Sequence, residues 1–562
     1  MLVIERDLPI LMDDGNELRA DVYRPDTSEP VPVILNHGPY GKGIPFRDGA
    51  YAERYQRLVG EHPEILEGSS GEYLTWETVD PERWVPAGYA VVRVDSRGAG
   101  RSPGYLDIWS PREALDLAQA IEWAGTQAWS SGRVGLCGIS YYAMNQWHAA
   151  RHQPPHLAAM LAWEGANDHY REITRHGGIL GDAFFHLWYP SQVLGDQHGL
   201  GTNGPLDPWL GEPATGPETL TEEALRANRA DPIENYRAHP LDDEFHRSRS
   251  ADFTRVTAPL LSAGNWGGLG LHSRGNFEGY TQSASRQKWL EVHAGRHEEW
   301  FYLPYGLDLQ RRFLDHFLKG EDNGWDREPP VILNIRHADG RIDVRKEHEW
   351  PLARTRWTRL HLDASGGALR SAPPPQPASS SFEALGEGIT LASEALPVQT
   401  EITGPVATRL RVASSTSDCD LFVTLRAFRA DGTEVDFAGA SGPRNPLSQG
   451  WLRASQRKLD TARSLPYRPY HAHDERQPLE PGRVYEVEVE LWPTCAVLPG
   501  GSRLALTITG RDFEREDGTG SIPFFHRDPV DRPQEVFGGE TTLHTGGAGE
   551  SFVLVPIVPP SG

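Results

Sequence analysis

The feature that most constrains this chain is a buried strand that passes into a helix through a single serine. Residues 134–139 are mostly small or apolar, Ser140 follows them, and a helix is predicted over 144–150. In serine hydrolases of the α/β type the nucleophile occupies such a tight turn, which lifts its hydroxyl above the sheet edge. The G-x-S-x-G pattern is incomplete, because Gly138 precedes the serine but Tyr142 follows it. The turn predicts a nucleophile at Ser140, with an ordinary helix-capping serine as the alternative.

Two further strands lie upstream of this turn, where such a fold needs them. Residues 31–36 and 90–95 are largely apolar, and each run breaks into a glycine-containing loop. Between the second strand and the serine turn, residues 115–124 carry apolar side chains at helical spacing. Apolar strands that alternate with helices are typical of a parallel sheet with helices on both faces. The sequence therefore predicts the α/β fold class.

Several separate motifs, in a fixed order, then indicate a family. They are the segments Asp13–Pro25, Pro39–Lys42, Asp95–Ser102, Gly138–Tyr141 and Gly404–Val406. In these segments the chain resembles the cocaine-esterase-like hydrolases, which share a family with X-Pro dipeptidyl peptidases and α-amino acid ester hydrolases. The resemblance covers almost the whole chain.

The resemblance implies an α/β-hydrolase core, a helical cap inserted into it, and a C-terminal jelly-roll β-sandwich. The core takes residues 1–165 and 256–325, the cap 166–255 and the sandwich 326–562. The cap sequence agrees, since it contains an aromatic cluster at 184–189 and a loop rich in proline and glycine, which suits a lid over a pocket. Alternating strands separated by turn residues in the last part agree with a sandwich.

The resemblance also places the catalytic histidine. The last core strand is predicted over 287–292, and the family's histidine follows that strand. His297 takes this place, ahead of a helix predicted over 307–318, and is therefore the expected general base. His293 competes with it but lies at the strand end, where a structural role is the better interpretation.

The acid of the expected triad departs from the family pattern. Relatives carry an aspartate in a G-W-x-D turn after the seventh strand, but here Trp266 is followed by Gly268 in the acid's place. A histidine base needs a carboxylate to fix its tautomer and stabilise its charge. Glu164 is the first residue off the neighbouring sixth strand and is the predicted acid. Asp168 is the alternative, and a cap-hinge carboxylate paired with an arginine is the structural interpretation of Glu164.

Two groups are expected to stabilise the tetrahedral oxyanion. The backbone N–H of Tyr141 follows the nucleophile, and the resemblance assigns the second donor to the phenol of Tyr40. A phenol can donate one short hydrogen bond to this oxygen without a cation. The alternative for Tyr40 is an aromatic ring packed beside the turn.

Charge and composition exclude several other classes of protein. Asp and Glu number 78 against 55 Lys and Arg, and the net charge of −23 repels nucleic acid and anionic membranes. No stretch has the apolar length of a membrane helix, and the first residues lack the pattern of a signal peptide, so none is expected. Three widely separated cysteines predict reduced thiols and a cytoplasmic protein without a disulfide framework. A homo-oligomer is left open.

No metal and no cofactor is predicted. His148 and His152 are spaced i, i+4 on the helix after the serine, but no H-E-x-x-H pattern accompanies them. His471, His473 and Asp474 lie in a polar loop without a rigid scaffold, where a solvated loop is the better interpretation.

The sequence thus favours a metal-independent serine hydrolase that cleaves a small-molecule carboxylic ester through an acyl-enzyme. The second hypothesis is an amide hydrolase of the X-Pro dipeptidyl peptidase or acylase kind, which needs carboxylates in the cap to bind a substrate ammonium. The third is a catalytically silent scaffold whose β-sandwich binds a partner or a carbohydrate. The missing acid at Gly268 is the only support for the third.

Overall fold

The structure is a computed structural model that describes residues 2–440, 442–515, 525–547 and 549–560. The N-terminal part of the chain forms one sheet, and a cap is inserted between two of its strands. The elements before the cap are β1 (Leu2–Leu11), β2 (Glu17–Pro25), β3 (Val31–Gly38), α1 (Ala52–Glu61), α2 (Pro81–Trp84), β4 (Ala90–Asp95), α3 (Pro111–Gly125), β5 (Ser130–Ile139), α4 (Tyr141–Ala150) and β6 (Leu157–Trp163). The cap contains β7 (Arg175–His176), β8 (Ile179–Leu180), α5 (Ala183–Trp188), β9 (Leu206–Asp207), β10 (Glu212–Pro213), α6 (Glu222–Ala227), α7 (Pro232–Ala238) and α8 (Glu244–Ser248). After it come β11 (Leu260–Asn265), α9 (Ser273–Gln282), β12 (Lys288–His293), α10 (Glu299–Tyr302), α11 (Pro304–Leu314), β13 (Val331–Arg336) and β14 (Ile342–Glu347).

The ten strands of this sheet lie in the order β1-β2-β4-β3-β5-β6-β11-β12-β13-β14. Neighbouring strands are parallel from β4 to β13. At the edges, β1 pairs antiparallel with β2, β2 with β4, and β13 with β14. Short turns connect β1 to β2 and β13 to β14, and a short turn can join only antiparallel strands. The sheet is therefore mixed, whereas the sequence analysis expects a parallel one.

Both faces of the sheet are covered, because successive residues of a strand point to opposite sides. Val33 and Leu35 of β3 share a buried cluster with Leu117 of α3. Ile34, which lies between them, belongs to another cluster, together with Phe313 of α11. This arrangement confirms the α/β class. Within the described part of the chain, no helix combines the length and the apolar character that a membrane span needs.

The cap is made of short helices and two-residue strand pairs between β6 and β11. Its side chains Phe185 and Trp188 are buried in the same cluster as Tyr40 and Tyr141 of the core. The cap thus forms an aromatic wall above the carboxyl ends of the strands, the edge at which ligands bind in open α/β sheets.

The C-terminal part forms a second, β-rich domain. Its elements are β15 (Arg356–Asp363), β16 (Ala368–Arg370), β17 (Ala378–Glu383), β18 (Ile389–Ser393), β19 (Thr400–Ser414), β20 (Asp420–Phe428), β21 (Glu434–Val435), β22 (Phe437–Gly439), β23 (Gly442–Asn445), β24 (Ser448–Arg453), β25 (Tyr485–Leu498), β26 (Arg503–Thr509), α12 (Gln534–Phe537), β27 (Glu540–Thr545) and β28 (Phe552–Val558). The pairing runs from β19 through β25, β24, β20, β26, β18, β16 and β15 to β28, and β28 pairs again with β19. This return makes the domain barrel-like.

The first sheet ends later in the chain than the sequence predicts. From the sequence the core is expected to end at residue 325, but β13 and β14 extend the first sheet to Glu347. The parallel pairing of β13 with β12 explains this, because it continues the row of buried strands that carries the site.

Candidate active site

Ser140 occupies a strained turn between β5 and α4. Its φ of 53° and ψ of −112° lie in a region that non-glycine residues rarely adopt. Glycine is needed at position 138, because a Cβ there would lie 2.5 Å from the Cβ of Tyr142. Tyr142 replaces the usual second glycine, and its ring fits against Gly38, where a Cβ would approach it to 2.8 Å. The incomplete motif therefore still forms the turn that a nucleophilic serine uses.

The histidine that faces Ser140 is His272, a residue that the sequence analysis did not select. Its Nε2 lies 3.1 Å from the Ser140 Oγ, and it directly precedes α9. Burial and the positive charge of His297 lower the pKa of His272 to about 3, so the ring is neutral and can accept a proton. A signal existed in the sequence, because this histidine lies in the loop that carries Gly268, where the resemblance places the acid.

Glu164 binds the side chains behind this histidine. It is fully buried at the end of β6 and has a φ of 50°. Its Oε2 lies 2.7 Å from His297 Nδ1, and its Oε1 lies 2.9 Å from His293 Nε2 and 3.1 Å from Asn265 Nδ2. Burial opposes ionisation, but the charges and hydrogen bonds of the two histidines outweigh it and hold the pKa of Glu164 well below its usual value. Glu164 is therefore ionised.

His297 contacts two carboxylates. Its Nδ1 pairs with Glu164, as the sequence analysis expects, and its Nε2 lies 2.9 Å from Glu77 Oε1. Burial disfavours the charged ring, but the two carboxylates raise the pKa of His297 to about 10, which makes it an imidazolium at neutral pH. The ring stacks on His272, with centroids 4.8 Å apart and planes 9° apart. Its role as general base stays a prediction, since both ring nitrogens already have carboxylate partners.

The two alternative residues from the sequence, His293 and Asp168, do not contact Ser140 but make structural contacts. His293 lies between Glu164 and Glu291, with its Nδ1 2.8 Å from Glu291 Oε2, and is fully buried. The Asp168 carboxylate accepts hydrogen bonds from the backbone N–H groups of Tyr170 and Arg171 and pairs with the Arg171 guanidinium at 3.0 Å. These contacts agree with a structural interpretation of both residues.

The two expected oxyanion donors lie beside the serine. Tyr40 lines the same cavity as Ser140, and its hydroxyl oxygen accepts a hydrogen bond from Trp188 Nε1 at 3.2 Å. Because an indole N–H can only donate, the Tyr40 proton remains available for an oxyanion. The Tyr141 phenol donates to Glu113 at 2.7 Å, while its backbone N–H opens helix α4 and has no partner within the helix.

A cavity of about 230 Å³ opens above Ser140. The cap residues Leu187 and Trp188 form its apolar side, whereas His272 lies on the polar side. A second cavity of about 210 Å³ shares Tyr40 with the first and is lined in part by Asp196. Volumes of this order suit a small organic ligand.

The loop that carries His272 is held by the β-rich domain. The backbone N–H of Ala440 donates to the Gly267 carbonyl at 3.1 Å, and a Cβ at Gly267 would lie 2.3 Å from the Gly439 Cα. Ala440 also lines the cavity above the serine. A Cβ at Gly268 would approach the Asn265 carbonyl oxygen to 3.2 Å. Position 268, where the resemblance places the acid, is therefore tightly enclosed.

Three of these side chains have the spacing of a metal-ion site. Among the described residues, Glu164, His272 and His297 offer donor atoms that all lie within 4.8 Å of one another. These side chains also have partners without a metal, because His297 donates a hydrogen bond to Glu164 and His272 contacts Ser140. The expected independence from metal stays a prediction.

Comparisons with known proteins agree with a hydrolase site. Residues 14–299 match the X-Pro dipeptidyl-peptidase (S15) family, and residues 323–554 match the C-terminal non-catalytic domain of X-Pro dipeptidyl-peptidases. The chain is 25% identical to the cocaine esterase of Rhodococcus sp. (strain MB1 Bresler) over 97% of each chain. It is 22% identical to a putative Xaa-Pro dipeptidyl-peptidase of Rhodopirellula baltica, over 88% of this chain and 81% of the relative. The crystal structure of a CocE/NonD family hydrolase from Staphylococcus aureus matches with a TM-score of 0.85 and 30% identity, over 99% of this chain and 94% of the other.

The fold, the serine turn and these matches define the protein as a hydrolase. It belongs to the S15 family of serine hydrolases, which confirms the resemblance found in the sequence.

Proposed function

We propose that the protein hydrolyses small-molecule carboxylic esters through an acyl-enzyme on Ser140. The observation that carries this proposal is the strained Ser140 turn, whose Oγ lies 3.1 Å from a neutral histidine ring inside a small cavity. A relative that aligns with 97% of this chain and is named a cocaine esterase supports an ester substrate.

The proposed reaction has two steps. Ser140 Oγ attacks the ester carbonyl while its proton passes to a ring nitrogen of His272 or His297, the two histidines near Glu164. The tetrahedral oxyanion is bound by the Tyr141 N–H and the Tyr40 hydroxyl. The alkoxide then leaves with the histidine proton, and a water molecule, activated by the same histidine, hydrolyses the acyl-serine.

A second candidate substrate is an amide with a free amino group, as in X-Pro peptides. Asp196, a cap residue, favours it. Burial, together with the nearby Asp95, raises the pKa of Asp196 well above its usual value. A substrate ammonium in the second cavity would restore the charge of this carboxyl group by pairing with it. The named Xaa-Pro dipeptidyl-peptidase relative supports this candidate.

Parallel assays separate the two substrates. We expect kcat/KM for p-nitrophenyl acetate to exceed that for an X-Pro p-nitroanilide by at least about a hundredfold, because p-nitrophenolate is a better leaving group than p-nitroaniline. The reverse order would favour the peptidase, and Asp196→Asn should then lower amide turnover selectively. A purified, folded protein that neither turns over these substrates nor binds a fluorophosphonate would be the silent scaffold.

Tyr40→Phe tests the oxyanion site. The change deletes only the hydroxyl, so kcat on p-nitrophenyl acetate should fall by roughly ten- to a thousandfold with KM little changed. Tyr51→Phe is the matched control, since the Tyr51 ring lines the same cavity and stacks on Trp76 at 3.8 Å. An effect on KM alone would make Tyr40 a packing residue for the substrate.

We infer the finer architecture and setting from the same observations. The mixed sheet with its serine turn supports an α/β-hydrolase core, and the closed strand path supports a jelly-roll sandwich in the C-terminal domain. The charge of −23 supports a protein that binds neither nucleic acid nor anionic membranes. We also propose that the protein is cytoplasmic and that it requires no metal.

A further inference from the structure

We propose that His272 is the general base that accepts the Ser140 proton, and that His297 is a positioning residue behind it. This assignment rests on the proposed ester hydrolysis. It differs from the family order, in which the base follows the last core strand and the acid follows the strand before it.

Contact distances carry the assignment. The His272 Nε2 lies 3.1 Å from the Ser140 Oγ, which is within the reach of direct proton transfer. His297 has no ring nitrogen left for the serine, because Nδ1 lies 2.7 Å from Glu164 Oε2 and Nε2 lies 2.9 Å from Glu77 Oε1. His272 is therefore the ring that can take the proton without first breaking a hydrogen bond to a carboxylate.

The tautomer of His272 follows from this contact. If Nε2 accepts the Ser140 proton, the ring proton of the neutral form lies on Nδ1. The Nδ1 atom is 3.9 Å from Glu164 Oε2, so the carboxylate stabilises the ring through charge at this distance. Proton transfer forms the N–H bond at Nε2 as the O–H bond of Ser140 breaks, and the same proton later leaves with the alkoxide.

The surrounding charges keep the His272 ring unprotonated before the reaction. His297 faces it through the ring stack, Glu164 faces its Nδ1, and Glu77 holds the far side of His297. Burial and the His297 charge lower the pKa of His272, whereas Glu164 raises it. A protonated His297 cannot act as a base, but it can limit the lifetime of a second imidazolium beside it and so favour return of the proton to the leaving group.

The fold explains how the base reaches the serine from this loop. The first turn after β11 carries no side chain at Gly267 and Gly268, which lets the chain pass close to Gly439 and turn back at His272. The His272 backbone N–H donates to the Gly268 carbonyl at 3.1 Å. The histidine thus comes from the loop in which relatives carry the acid, while Glu164 supplies the carboxylate from the end of β6.

Acylation kinetics test the assignment. The variants His272→Gln and His272→Ala are compared with His297→Gln in the acylation burst with p-nitrophenyl acetate and in fluorophosphonate labelling of Ser140, with EDTA present throughout. We expect both His272 variants to lose on the order of a thousandfold in acylation rate. His297→Gln should retain acylation within about a hundredfold, and its acidic limb of kcat/KM should move to higher pH because a neighbouring positive charge is removed.

Free imidazole provides a second measurement that does not depend on these rates alone. The spaces left by His272→Ala and His297→Ala both border the cavity at Ser140, so added imidazole can reach either. It should restore part of the acylation of His272→Ala only, because His272 is the ring that contacts the Ser140 Oγ. Thermal unfolding of each variant verifies that it is folded.

The outcomes separate this inference from the proposed function. A wild-type protein that is neither acylated nor labelled overturns the ester hydrolase itself. An active wild type with a folded His272→Gln within tenfold of it, beside an inactive His297→Gln, identifies His297 as the base. If both variants are inactive, imidazole rescue of His272→Ala supports the assignment, and failure of that rescue overturns it.

Discussion

Replacing Ser140 with alanine is expected to abolish ester turnover, because the change removes the oxygen that forms the acyl bond. The loss in kcat should be on the order of a millionfold, as for nucleophiles of other serine hydrolases. Steady-state hydrolysis of a p-nitrophenyl ester measures it, and labelling by a fluorophosphonate should disappear with it. The fold should persist, since alanine fits the space of serine in the turn.

Ser191→Ala is the matched control for this variant. Ser191 lines the same cavity, and its hydroxyl donates to the Leu187 carbonyl at 2.6 Å. It should keep wild-type kcat within a few-fold. Substantial esterase activity in a purified Ser140→Ala protein would contradict the assignment of the nucleophile.

Glu164→Gln is the second change with a large expected effect. Glutamine keeps the shape of the side chain but removes the negative charge beside the two histidines of the site, and kcat should fall on the order of a thousandfold or more. The variant also leaves His293 and His297 with one carboxylate fewer in a buried setting, which should lower the free energy of unfolding by about 3–5 kcal/mol. Activity per folded molecule, with the folded fraction taken from thermal unfolding, separates the two effects.

Asp168→Asn is the comparison for Glu164→Gln. Asp168 binds the Tyr170 and Arg171 backbone and the Arg171 guanidinium, so its loss should act on stability or cap position and reduce kcat only mildly. Gly268→Asp in the Glu164→Gln background restores a carboxylate at the family position. We expect at most partial recovery, because a Cβ there lies 3.2 Å from the Asn265 carbonyl oxygen.

The opposite pattern would change the choice of acid. An active Glu164→Gln protein beside an inactive Asp168→Asn protein would move the acid to Asp168. Wild-type activity in both variants would place the carboxylate outside this segment.

Local sequence signals were sufficient where a strand leads directly into the site. Ser140 follows β5 and Glu164 follows β6, so strand prediction alone placed both at the same sheet edge. The pairing of Glu164 with His297 was predictable for a related reason, since β12 ends four residues before that histidine and lies one strand beyond β11.

The contacts of the histidines with other loops were not predictable in this way. Glu77 lies in a long segment without periodic apolar residues, and its carbonyl is fixed by the Ile139 backbone N–H at 3.1 Å. His272 reaches the serine because its loop packs against Gly439, which lies far along the chain. Contacts over such sequence separations depend on the completed fold, and no local pattern in one sequence encodes them.

The direction of the edge strands of the sheet could not be predicted from the apolar pattern either. The apolar runs of β3, β4 and β5 indicated parallel neighbours, but β1, β2 and β14 are partly exposed strands whose direction is set by their connections. The antiparallel pairing of β1 with β2 and of β13 with β14 follows from the short turn between them, and the apolar pattern carries no information about it.

The contact between Gly267 and the Gly439–Ala440 segment joins the two halves of the chain at the histidine loop. A domain that matches a non-catalytic module thus supplies a backbone hydrogen bond and one wall of the cavity. A protein cut after β14 would keep the serine turn and both carboxylates that hold His297, but the loop of His272 would lose its outer support. The barrel-like domain therefore helps to fix the histidine loop, and exchange of that domain would alter the support of His272.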